Sequence, residues 1–184
     1  MINEVKNQAD VEAIESSSEC IPTGVNSTYD LLSMGATIGA GMSPHFPFSR
    51  TEDQKHPWVW SPCMEGAEVT QAANMFRRLG VQRNSVVAYI LPNLPETHWT
   101  IWGAETAGVV MALNPLLEPT TLLDLMLAAK VQWIVTLAPT PGTDLWEKVS
   151  TIADRLPTLQ GILATSPCAI CRHPPIRQVF QVFR

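Results

Sequence analysis

The stretch Val86–Pro119, VVAYILPNLPETHWTIWGAETAGVVMALNPLLEP, leaves the chain few folds to choose from. Val86 to Leu91 is apolar without alternation, the pattern of a strand covered on both faces, and Pro92-Asn93 stops it. A helix is expected at once. Asn93 can cap it, Glu96 stands in the capping-box position, and Pro95 falls in the first turn, where its missing N–H has no partner to lose. Gly108 is a natural stop, and Val109 to Leu113 reads as a second buried strand ahead of Asn114-Pro115. Strand, helix and strand in this order make a βαβ unit, which requires a parallel sheet.

The flanking segments extend the alternation. Val69, Ala72, Ala73, Phe76 and Leu79 share one helical face, and Gly80 ends that helix. Thr120 to Lys130 reads as an apolar-rich helix and Val131 to Leu137 as another buried strand. Thr143 is placed to cap a helix whose face is Leu145, Val149, Ile152, Ala153 and Leu156, with Pro157 beyond it, and Leu159 to Ala164 fits a fourth strand. The fold class that follows is α/β, a layered domain with a mostly parallel sheet flanked by helices.

Outside this region the chain changes character. Residues 1–66 read as an irregular acidic leader and linker: Glu4, Asp10, Glu12, Glu15 and Glu19 face Lys6 alone over the first 26 residues. A weak helix fits around 8–15 and a short one at Thr28–Ala36, anchored by Leu31 and Leu32. Pro44, Pro47, Pro57, Pro62 and Gly66 argue against a long helix between Met42 and Gly66. Residues 67–165 form the α/β domain, and 166–184, with Pro167, Pro174 and Pro175 and no acid, are expected to be a disordered tail.

Composition narrows the function classes. With 184 residues and 46% hydrophobic content the chain can bury a core, and its formal charge of −5 with no basic, aromatic-interleaved stripe argues against nucleic acid. No basic n-region precedes an apolar run, and the most apolar stretch, 101–117, is broken by Glu105, Gly108 and Pro115, so neither a secretory signal nor a membrane span is expected. Four cysteines at irregular spacing favour reduced thiols and a cytoplasmic location.

Candidate chemical residues are few. Gly35, Gly39 and Gly41 fit neither phosphate-loop spacing, and no Lys follows them, so they read as a flexible connection. Arg77-Arg78 could hold an anion, but basic residues at a helix C-terminus more often sit in solvent and complement the dipole. Asn93 and Asn114 follow two parallel strands and so lie on the edge where such sheets bind ligands, although both also suit a turn or cap. His98, with Trp99 and Trp102, fits a core or interface histidine better than a general base, since no nucleophile or orienting carboxylate stands at a recognisable spacing. Cys168 and Cys171 form one CxxC with His173 close by, but Cys20 and Cys63 are distant and unpaired in spacing, which disfavours a zinc or redox site. No catalytic, cofactor-binding or metal residue is assigned.

A family resemblance adds to this reading. Arg78-Leu79-Gly80-Val81 before the first strand, Leu91-Pro92-Asn93-Leu94-Pro95-Glu96 after it, and Ala107-Gly108-Val109-Val110 with Asn114-Pro115-Leu116-Leu117-Glu118-Pro119 after the helix resemble the early part of AMP-forming acyl-CoA synthetases of the adenylate-forming superfamily. The likeness covers Val69–Thr136 and continues through Leu137–Val149. It departs at Pro62-Cys63-Met64-Glu65-Gly66, where such enzymes carry a Tyr-Ala-Glu-Leu-like helix start; local divergence or a short reading-frame disturbance would both produce this. The resemblance implies that the complete, fatty-acyl-CoA ligase-like enzyme joins a fatty or other carboxylic acid to CoA through an acyl-adenylate, with ATP and Mg. It also implies a Ser/Thr/Gly-rich phosphate loop ending in Pro-Lys and a C-terminal domain carrying a lysine, neither of which occurs here. The expectation is therefore an N-terminal fragment, inactive alone and binding none of those cofactors. The alternative is a non-catalytic interaction module whose exposed apolar surface a partner chain covers, motivated by Lys130 being the single basic residue from 84 to 137 apart from His98.

Overall fold

The structure is a computed structural model that describes residues 6–16, 24–38, 62–165 and 180–183. Its elements are α1 (Gln8–Ser16), α2 (Thr28–Ile38), α3 (Pro62–Arg78), β1 (Val86–Ile90), α4 (Pro95–Ala107), β2 (Val109–Ala112), α5 (Pro119–Ala129), β3 (Trp133–Leu137), α6 (Leu145–Ala153), β4 (Gly161–Thr165) and β5 (Phe180–Phe183). The strands form one sheet in the order β2-β1-β3-β4-β5. The first four are mutually parallel and β5 runs antiparallel to β4, so the mostly parallel α/β sheet expected from the sequence is present.

Topology dictates where the helices go. The crossover from β1 to β2 steps one way along the sheet, whereas those from β2 to β3 and from β3 to β4 step the other way. Right-handed crossovers of opposite direction put their helices on opposite faces, so α4 covers one face and α5 and α6 the other. Packing agrees: α3 and α2 lie against α4, and α5 lies against α6. On the α6 face Trp146 meets Phe183 of β5 edge-on, with ring centroids 4.8 Å apart.

Burial follows sheet position. The central strand β3 is buried throughout, with Ile134 and Val135 fully enclosed, and β4 is buried along its whole length. β2 differs from the buried strand the sequence predicts: among the described residues it is the sheet edge, and Val109 is 45% exposed. An uninterrupted apolar run looks the same whether the second neighbouring strand is present or not. Leu113, just past β2, is buried and donates its N–H to the Tyr89 carbonyl at 3.0 Å.

On the α4 face, Val69, Ala72 and Phe76 of α3 are wholly or nearly enclosed, the stripe expected from their spacing. Enclosing Phe76 alone is worth about 1.5–3 kcal/mol. The crossing with α4 is close because Gly103 has no side chain: a Cβ there would stand 2.5 Å from that of Ala72. α2 is tied on by the Tyr29 hydroxyl, 2.8 Å from Thr70 Oγ1, and by Thr28 Oγ1, which donates to Glu105 Oε1 at 2.8 Å. Ser27 and Asp30 cap α2 reciprocally: Ser27 Oγ accepts the Asp30 N–H at 3.1 Å, and Asp30 Oδ2 accepts the Asn26 N–H at 3.0 Å.

Several boundaries differ from expectation. α3 starts at Pro62 rather than after Gly66, taking in part of the predicted linker. Proline at the first helical position sacrifices no hydrogen bond, and the Gly66 carbonyl accepts the Thr70 hydroxyl at 2.7 Å. Gly35 belongs to α2, which runs on to Ile38, and is not part of a flexible connection. The last stretch, expected to be disordered, supplies β5 at Phe180–Phe183, paired from Thr165↔Phe180 to Ile162↔Phe183. Lys130 takes the left-handed conformation (φ 53°) that ends α5. No described helix is long and apolar enough to cross a membrane.

Candidate functional site

At the C-terminal ends of β1 and β2 the chain leaves the sheet in two directions, after β1 toward α4 and after β2 toward the other face. A cleft of about 360 Å³ opens between the two loops. Such divergence is the general origin of ligand crevices in parallel sheets. Tyr89 and Ala112, paired in register on neighbouring strands, form part of its floor.

The α4 wall is built locally. Pro95 opens the helix, but the N-cap is Leu94, in extended conformation, not Asn93. Thr97 stands in the third helical position in place of Glu96; its Oγ1 accepts the Leu94 N–H at 3.3 Å and donates to the Pro92 carbonyl at 2.6 Å. Asn93 is thus released from capping. Its Oδ1 lies 3.3 Å from His98 Nε2, a bond the ring donates when that nitrogen carries a proton. His98 is half-buried and lines the cleft. The opposite wall is the turn after β2, where Asn114 Oδ1 accepts the Leu116 N–H at 2.9 Å.

Three of the residues singled out in the sequence, Asn93, His98 and Asn114, therefore meet around one cleft. Asn114 keeps the turn role, and Asn93 orients His98 instead of capping. Tyr89 and Thr97 were not singled out; the one signal for Tyr89 is a phenol interrupting an aliphatic strand. Burial pushes the Tyr89 phenol above its ordinary value. Arg77 lies elsewhere, its Nη2 donating to the Thr106 carbonyl in the last turn of α4 at 3.3 Å, so it ties α3 to α4 besides facing solvent. Arg78 is exposed. Gly39, Gly41, Cys20, Cys168, Cys171 and His173 lie outside the described residues, as does the side chain of Cys63.

Among the described residues the lining is mainly Leu91, Pro92, Ile101, Ala112, Leu113 and Pro115, and contains no lysine, arginine or carboxylate. Among the described residues no three His, Cys, Asp or Glu side chains gather closely enough to hold a metal ion. The cleft can enclose an apolar or neutral group and offer it amide, imidazole and phenol contacts.

Sheet order, helix layers and a cleft at the strand ends define an α/β layer of mostly parallel strands. Residues 66–175 match the family of the AMP-binding enzyme, and the chain belongs to that family. It is 28% identical over 125 residues to a marinolic acid–CoA ligase of Pseudoalteromonas sp. (strain SANK 73390), a match covering 67% of this chain and 19% of that one. Among solved structures, the fold is similar to that of the acetoacetyl-CoA synthetase of Streptomyces lividans, with TM-score 0.61 and 19% identity over 78% of this chain and 23% of that one. It is also similar to an anthranilate CoA ligase solved with anthranoyl-AMP, with TM-score 0.60 and 17% identity over 73% and 24% of the two chains. The chain thus spans about one fifth of the length of the curated relative it matches.

Proposed function

We propose that this chain is the first part of the scaffold of an AMP-forming acyl-CoA ligase. The complete enzyme joins a fatty or other carboxylic acid to CoA through an acyl-adenylate, using ATP and Mg, in the cytoplasm. The match of residues 66–175 to the AMP-binding enzyme family carries this reading, and the CoA-ligase relative supports it.

The 184-residue chain alone does not form the adenylate. Attack of a carboxylate on the α-phosphorus needs cations and backbone donors arranged around developing charge. Among the described residues the cleft lining has no such cation, and the sequence has no Ser/Thr/Gly-rich loop ending in Pro-Lys. Incubation of the purified chain with MgATP and a panel of carboxylic acids, read by mass spectrometry, is expected to yield no acyl-AMP; an acid-dependent acyl-AMP product would overturn this part of the reading.

The exposed β2 edge favours a second reading, a non-catalytic module completed by another chain. β2 and its flanks carry no charge from Thr106 to Leu117, so the edge lacks the charged side chains that usually blunt one. Co-purification of one defined polypeptide in constant ratio supports this module, whereas a stable monomer in size-exclusion chromatography with light scattering argues against it.

A further inference from the structure

The two walls of the cleft belong to different layers of the molecule. Asn93, Thr97 and His98 come from the start of α4, whereas Asn114 and Pro115 form the turn after β2. That turn closes on itself weakly, through Leu116 N–H to Asn114 Oδ1 at 2.9 Å and Leu117 N–H to the Asn114 carbonyl at 3.1 Å. Pro115 has no N–H to contribute. Its carbonyl instead accepts a hydrogen bond of 3.2 Å from Nζ of Lys148, which lies on α6, across the sheet from α4. The Lys148 side chain is only 15% exposed, and its ammonium is 3.3 Å from Asp144 Oδ2, one helical turn back. Asp144 is itself 68% exposed, so this ion pair mainly aims the ammonium.

We propose that Lys148 is a positioning residue for the cleft: from the α6 layer it fixes the Asn114–Leu117 turn and so sets the distance between the two walls. A lysine in this place suits the task. Its stem packs along apolar surface while a single charged donor reaches a carbonyl that the turn leaves unpaired. The α6 layer is thereby coupled to a cleft it does not line. The importance of the cleft rests on the functional reading above, but the test needs no substrate, so its failure would leave that reading standing.

Amide hydrogen exchange of the full chain, followed by NMR, separates positioning from general stability. Lys148→Met keeps the stem and removes the ammonium. Leu116 and Leu117 amides are expected to exchange about fivefold faster, the scale of one hydrogen bond's net contribution, with the Val87 and Ile134 amides in the sheet unchanged and Lys148→Arg restoring the slow rates. Equal acceleration at all four amides would mean a structural role only, and unchanged rates would mean no role; either overturns the proposal. If Lys148→Met fails to fold, Asp144→Asn, which leaves the ammonium present but less well aimed, must speed the same two amides selectively, and unchanged exchange there overturns it.

Discussion

Gly103 and Ala72 meet where α4 crosses α3, so closely that a Cβ on Gly103 would lie 2.5 Å from the Ala72 Cβ and 3.0 Å from the Ala73 backbone nitrogen. Neither neighbour can rotate away. Gly103→Ala is therefore expected to destabilise the chain by about 2 kcal/mol despite the better helix propensity of alanine. A urea unfolding midpoint equal to or above that of the parent would contradict this packing.

Gly108 ends α4, and its constraint is proximity. A Cβ there would meet the carbonyl oxygens of Ser85 at 2.7 Å and Gln82 at 2.8 Å. Gly108→Ala must push β2 away from β1 at the point where the Val109 N–H donates to the Ser85 carbonyl at 2.9 Å. Faster exchange of the Val109 amide is expected, together with a stability loss of about 1–3 kcal/mol; a protected Val109 amide in the variant would refute the close approach.

Burial raises the Tyr89 phenol above 10.0. The protonated form is favoured in the folded state, so the associated stability is fully present below pH 10.0 and is lost as pH rises through the folded value. In a Tyr29→Phe background, ultraviolet titration should place the remaining tyrosine above 10.0, and Tyr89→Phe should lessen the alkaline loss of stability. Titration at or below 10.0 would show the ring to be open to water.

Asp30 shows the opposite sign. The Asn26 N–H, and then Ser27, hold its carboxyl below its ordinary value of 3.8. Its contribution is present above 3.8 and disappears as pH falls through the folded value. Carboxyl NMR should find Asp30 titrating below 3.8, moving upward in Asn26→Pro, which deletes the leading donor; an unchanged value would disprove this cap.

Much of the sheet was legible because strands buried on both faces are written as unbroken apolar runs, as in Val86–Leu91 and Val131–Leu137, and because Gly108 and Pro95 punctuate them. Burial of β2 was misjudged since an apolar run does not say which strands flank it. Capping at Asn93 was misplaced by one residue: Asn93, Thr97 and Glu96 are all competent in sequence, and the choice fell to Thr97 because its hydroxyl can serve the Leu94 N–H and the Pro92 carbonyl together. β5 was missed because Phe180–Phe183 is short and follows a proline-rich stretch. The cleft edge could be named from Asn93 and Asn114, but Lys148 could not, since its contact with Pro115 spans 33 residues.

Exchange of radiolabelled pyrophosphate into ATP tests the central claim most directly, because it detects reversible adenylation even when the product never leaves the protein. The purified chain, with magnesium and a panel of fatty and aromatic acids, is expected to show exchange no greater than a protein-free control. Acid-dependent exchange that follows the chain through purification would contradict the account, placing a complete adenylation site in a chain whose cleft lining, among the described residues, carries no lysine or arginine.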